Sequence, residues 1–143
     1  GGNSNGPPSD GNGNTNNLVC ADSLEVAVIG KWVCEHRDAS IRTMVGFRKV
    51  VAGTAITSWW DNGANAIAFA RGTKGWVAIN REATAVALNT ATGLAPGTYC
   101  DRITGGVSGA ACAGTSIVVD GTGTVQFSLP AMTAVAIDIT TKL

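Results

Sequence analysis

The spacing of apolar residues changes along the chain, and the changes divide it. Up to Leu18 the residues are almost all Gly, Asn, Ser, Pro, Asp and Thr, which reads as surface loop. A short apolar run from Leu24 to Ile29 follows, where periodicity alone does not separate a strand from a helical turn. From about Cys34 to Val51 the period is helical. Ile41, Met44, Val45 and Arg48 recur three and four apart, and Phe47, Val50 and Val51 widen the apolar face. Glu35 falls in the first turn of this predicted helix and Arg48 and Lys49 in its last, each favourable for the helix dipole. After Gly53 the pattern turns to β-branched and aromatic residues that alternate, with Val125, Phe127 and Leu129 on one side of a strand and Gln126 and Ser128 on the other.

Turn residues then mark off strands at 56–61, 65–71, 75–80, 84–89, 97–103, 115–119, 124–129 and 132–139. The separators include Asp61-Asn62-Gly63, Gly72 to Gly75, the Gly105–Gly114 loop and Pro130. About eight short strands with no helix between them predict a mostly β, antiparallel sandwich or Greek-key barrel. Residues 54–143 are enough to hold a core of their own. Residues 1–53 are not, because one helix with an apolar face and a glycine-rich loop has nothing of its own to bury that face against.

Composition narrows the partners. The chain has 143 residues, zero net charge and only 14% charged residues. That gives no electrostatic footprint for nucleic acid or an anionic membrane. No apolar run approaches the ~20 residues of a membrane helix. The start, GGNSNGPPSDG, has neither the basic region nor the apolar core of a secretory leader and reads as cut from something larger. The four cysteines, Cys20, Cys34, Cys100 and Cys112, allow three pairings. The sequential one is favoured, since each pair closes a short loop and a loop of ~15 residues contributes roughly 3 kcal/mol. No pair has zinc-knuckle spacing, and His36 is the only histidine. Disulfides imply an oxidising compartment, hence secretion.

Candidate chemistry is sparse. Asp10, Asn12 and Asn14 alternate with glycines as in the start of a calcium loop. Thr15 and Ala21 then stand where an EF-hand needs Gly and Glu, so a plain loop is the better reading. There is no G-x-S-x-G, H-E-x-x-H or phosphate loop. The carboxylates form no evident acid/base pair, and His36 beside Glu35 and Arg37 reads as structural. Trp59 and Trp60 either pack the junction between helix and β-region or offer flat faces to a sugar ring.

Several short motifs carry a resemblance. W-V-C-E-H-R at 32–37, M-V-x-F-R at 44–48, W-W-D-N-G at 59–63, A-F-A-R-G at 68–72 and P-G-T-Y-C-D at 96–101 resemble the C-terminal part of an α-amylase. The nearest branch is the animal-type one, also found in secreted bacterial enzymes. Gly6-Pro7-Pro8 is similar to a loop after the late barrel strands of that group, and the Cys100/Cys112 spacing to a disulfide of its last domain. The resemblance implies that residues 1–53 are the end of a (β/α)8 barrel, a loop and its last helix. It implies that residues 54–143 are the Greek-key C-terminal domain, domain C. It implies a secreted retaining glycosidase acting on internal α-1,4 bonds of starch and related glucans. The catalytic carboxylates, the calcium and the chloride site would lie upstream of Gly1, so the chain by itself is expected to be inactive and to bind no metal. Its partners would be the rest of the barrel and, through it, α-glucan. Two positions depart from the family: Asp38 replaces a Trp, and Cys20 and Cys34 lie further apart than usual. The alternatives are a free-standing carbohydrate-binding module, using Trp59, Trp60 or Trp76, and a purely structural β-sandwich. The helix at 34–51 argues against the binding module, which has no need of it.

Overall fold

A computed structural model describes residues 9–17, 19, 20 and 31–143. The Leu24–Ile29 run and Gly6-Pro7-Pro8 lie outside the described residues. One 3-10 turn, Glu35–Arg37, leads into α1 (Ala39–Val50). The α-helix thus starts later than the apolar spacing predicts, and Glu35 is not in its first turn. The reason is Asp38, whose Oδ1 accepts from the Ser40 amide at 2.8 Å and the Ile41 amide at 3.4 Å. These are two of the amide donors that a helix start leaves unpaired, so Asp38 is the N-cap.

Ten strands follow: β1 (Ile56–Asp61), β2 (Ala66–Arg71), β3 (Gly75–Asn80), β4 (Val86–Ala91), β5 (Gly97–Cys100), β6 (Val107–Ser108), β7 (Ala111–Cys112), β8 (Ser116–Val119), β9 (Thr124–Leu129) and β10 (Thr133–Asp138). They form two four-stranded antiparallel sheets, β1-β2-β3-β10 and β4-β9-β8-β5, with β6-β7 a small hairpin apart. The chain crosses between sheets after β3 and returns after β9, so that β10 lands beside β3, as in Greek-key sandwiches. The strand expected at 84–89 begins two residues later. Asn80 is buried and its amide nitrogen donates to the carbonyls of Thr84, Leu129 and Pro130, which keeps residues 81–85 in a loop. The strand expected to reach 103 ends at Cys100, because Asp101 gathers the next residues into a turn.

The core between the sheets follows the period-two alternation. Ala68, Ala70, Trp76, Ala78, Val135 and Ile137 come from one sheet, and Leu88, Tyr99, Ile117, Val119, Val125 and Leu129 from the other. Trp76 is paired in register with Ala70 on one side and Ile137 on the other. A small neighbour makes room for the indole, which meets Phe127 edge-on at 6.4 Å. Tyr99 is buried and donates its hydroxyl to the Ala95 carbonyl at 2.8 Å; burial pushes its pKa above the ordinary value. The chain end, Thr141 to Leu143, runs antiparallel along β5 and covers that sheet edge. Two disulfides clip the structure, Cys20–Cys34 and Cys100–Cys112.

Candidate functional site

The outer face of the first sheet carries both features that the sandwich itself does not require: a helix and an exposed tryptophan. On the β3–β10 side, Phe47 of α1 and Val51 just past its end, one turn apart, bury themselves on Val77 and Ala136, bordered by Met44, Phe69 and Ile103. The approach is close because β3 opens with glycine. A Cβ on Gly75 would lie 2.7 Å from Val51 Cγ1 and 2.8 Å from Phe47 Cε2. A second contact fixes the helix near its middle, where a Cβ on Gly46 would lie 2.9 Å from Nη1 of Arg102. That guanidinium is held by Asp138 through its Nε and, at 3.2 Å, its Nη2, which also donates to the Thr140 hydroxyl at 2.7 Å. Asp138 is fully buried, so this is a pair shielded from water.

The helix face that the spacing put foremost is not the one that packs on the sheet. Ile41 and Val45 are 47% and 55% exposed. With Ser40, Met44, Arg48 and Ile103 they line an open apolar groove that no described residue fills. Phe47 and Val51 win the sheet because they face glycine and small residues there, while Ile41 and Val45 lie round the helix from that contact.

On the opposite edge, strand β1 is bulged. Thr57 pairs with Ala70 and Trp60 with Ala68, so Ser58 and Trp59 together stand opposite Phe69. Ser58 takes a positive φ of 50° to allow it. Trp60 is turned inward against the core, and Trp76 is completely buried. Of the three tryptophans expected as sugar contacts, Trp59 alone is exposed, at 57%.

Several of the described carboxylates hold turns. Asp10 accepts from the Asn14 side chain and from the Asn12 and Asn14 amides, and Asp120 from the Thr122 hydroxyl and the Thr122 and Thr124 amides. Hydrogen bonds of this kind, the side-chain ones from Asn14, Ser40 and Thr122 foremost, hold the carboxyls of Asp10, Asp38 and Asp120 below the usual range. A general acid needs the opposite shift. Asp101 is buried and accepts from the Ile103, Thr104 and Ala136 amides and the Thr104 hydroxyl. His36 is exposed on the short turn before α1. Among the described residues no three His, Cys, Asp or Glu side chains are grouped to hold a metal ion.

Comparison with known proteins bears on this arrangement. The family described as "Alpha amylase, C-terminal all-beta domain" matches residues 57–140. An α-amylase of Acarus siro is 43% identical over 143 residues, covering 96% of this chain and 27% of its own length. The pancreatic α-amylase of Struthio camelus is 42% identical over 125 residues, covering 87% of this chain and 24% of its own. Among solved structures, wild-type α-amylase I of Eisenia fetida superposes with a TM-score of 0.77 at 38% identity, covering 94% of this chain and 27% of its own. Its E249Q mutant in complex with maltohexaose gives 0.78 at the same identity. The chain spans about a quarter of the length of the relatives it matches.

Proposed function

Because the chain belongs to the α-amylases, through the C-terminal all-β domain of that family, we propose that it works as the last part of a secreted α-amylase. In this reading residues 54–143 form domain C, and residues 1–53 are a loop and the final helix of the catalytic barrel. The enzyme hydrolyses internal α-1,4-glucosidic bonds of starch. Its catalytic carboxylates, and the calcium and chloride that the resemblance implies, belong to the barrel. Consistent with this reading, the carboxyls of Asp10, Asp38 and Asp120 are held below the usual range by hydrogen bonds within their own turns.

The observation that carries the reading is the groove on α1. A helix with Ile41, Met44 and Val45 on an open face has an apolar surface that neither sheet covers. Burying such side chains is worth roughly 1.5–3 kcal/mol each. A barrel wall packed there would bury them, while Phe47, Val51 and Arg102 tie the same helix to the β-domain. The helix then belongs to both bodies and fixes one on the other.

The test is a chimaera in which residues 1–143 replace the matching C-terminal region of a relative such as the Acarus siro enzyme. The chimaera should release reducing sugar from soluble starch, and the isolated chain should release none. Ile41→Asp with Val45→Asp should leave the isolated chain's stability within about 0.5 kcal/mol, as surface changes do, yet abolish soluble, active chimaera. Hydrolysis by the isolated chain, or a chimaera indifferent to the double substitution, would overturn the reading.

A further inference from the structure

The geometry of β1 points to Trp59 as a built stacking platform for α-glucan, a surface site separate from any catalytic cleft; this inference rests on the α-amylase reading for its ligand class. Three observations converge on the residue. The first is its aim. In an unbulged strand that kept Thr57 opposite Ala70, Trp59 would face Ala68 and the core, and Trp60 would face outward opposite Ile67. The extra residue at Ser58–Trp59 reverses the two, putting Trp60 inside and Trp59 outside. A non-glycine residue at φ 50° is a conformation that structures keep where something over-determines it.

The second observation is rigidity. One face of the Trp59 ring lies almost parallel on Phe69, with centroids 5.9 Å apart and planes 13° from parallel. Its Nε1–H donates to Asp61 Oδ2 at 3.0 Å. The ring is thus held at a face and at an edge while remaining 57% exposed, so binding a ligand costs little rotamer entropy. The third is chemistry. A glucose ring presents axial C–H bonds on its faces and hydroxyls around its rim. It therefore suits a flat apolar surface with acceptors beside it. Asp61 supplies those acceptors: it is exposed, each of its oxygens takes one hydrogen bond, from Trp59 and from the Gly63 amide, and carboxylate oxygens have further lone pairs to offer. The site lies on β1, two strands from β3 in the order β1-β2-β3-β10, on the same outer face as α1, and Phe69 beneath the indole also borders the helix contact.

Affinity electrophoresis of the whole chain in gels containing glycogen or soluble starch, with xylan as control, tests the site. Titration with β-cyclodextrin, followed by tryptophan fluorescence, gives the constant. Wild type should be retarded by the α-glucans and not by xylan. Trp59→Ala should weaken binding about tenfold or more, the loss of ~1.4 kcal/mol, while Trp59→Phe recovers part of it. Val118→Ala, on the exposed face of the second sheet, should change nothing. Equal retardation of wild type and Trp59→Ala, or none of either, would overturn the platform whether or not the chimaera is active. So would a Trp59→Ala chain that binds dextrin normally but no longer supports chimaera activity, which would make Trp59 an interdomain packing residue instead. An inactive chimaera with normal dextrin retardation would count against the amylase reading and not against the platform.

Discussion

Asp38 shows how one side chain sets where an element begins. Its carboxylate takes the first amides of α1 and the Ser40 hydroxyl, and these bonds, the hydroxyl first, lower its pKa. A carboxyl lowered in the folded state stabilises fully above the pH at which a free aspartate titrates, near ~4, and that contribution is lost as pH falls through the lowered value. The protection of the Ser40 and Ile41 amides, measured by NMR relative to their intrinsic exchange rates from neutral pH downward, should therefore hold to below pH ~4 and then fall. Asp38→Asn keeps a capping oxygen without the titration, so its profile should be flat. A wild-type profile equally flat would show that the carboxylate does not cap. The capping chemistry is present in the residues Asp-Ala-Ser-Ile, yet helical spacing beginning at Cys34 hides it: apolar periodicity locates a helix better than it locates its first residue.

At the level of elements, α1 is the part whose stability depends on the rest. Only Phe47 is buried within the helix, with Val51 just beyond its end, whereas β3 is covered on both faces by the opposite sheet and by the helix. Hydrogen exchange on the isolated chain should accordingly rank three groups. Amides of 66–71 and 124–129 should be slowest, those of 47–51 intermediate, and those of 9–17 fast. Phe47→Ala, which removes the main anchor at roughly 3–5 kcal/mol for a buried Phe, should bring 40–51 to the fast limit and leave 124–129 protected. Loss of protection throughout would mean that helix and sandwich unfold as one unit. The strands at 56–61, 75–80 and 124–129 coincide with the turn-bounded expectation residue for residue, because a Gly, Pro, Asp or Asn stands at or within three residues of each end and fixes it locally. Strand β4 does not, since its start is set by Asn80 reaching across to residues 129 and 130, and a long-range bond leaves no local mark.

For the molecule as a whole, the two disulfides sit in different places and should matter differently. Cys100 is fully buried at the end of β5, and its partner Cys112 closes the hairpin loop of β6 and β7 twelve positions on. Closing a loop of that size contributes about 3 kcal/mol in the chain-entropy model, so replacing both cysteines by Ser should lower the melting temperature by on the order of 10 °C. Cys20–Cys34 lies before α1 and outside the sandwich. Replacing that pair should shift the β-domain's melting far less, read by the near-UV signal of the buried Trp76. Equal losses would place residues 20–34 inside the cooperative unit and weaken the division of the chain near residue 54.

By itself the sequence determined the class of fold and the family. Turn residues and period-two alternation are local, so they dictate an antiparallel β-region wherever the strands end up, and motifs such as W-W-D-N-G and P-G-T-Y-C-D are read without coordinates. Which surface each ambiguous residue occupies was decided only in three dimensions. The helix is apolar over more than one face, and the glycine at position 75, far along the chain, chooses Phe47 and Val51 and leaves Ile41 and Val45 open. The two adjacent tryptophans are interchangeable in any alternation count. The register of β1 against β2, shifted by one residue at Ser58, sends Trp60 to the core and Trp59 to the surface. Both outcomes depend on pairing between distant segments, where a single Cβ or a one-residue offset reverses inside and outside, and no local pattern carries that information.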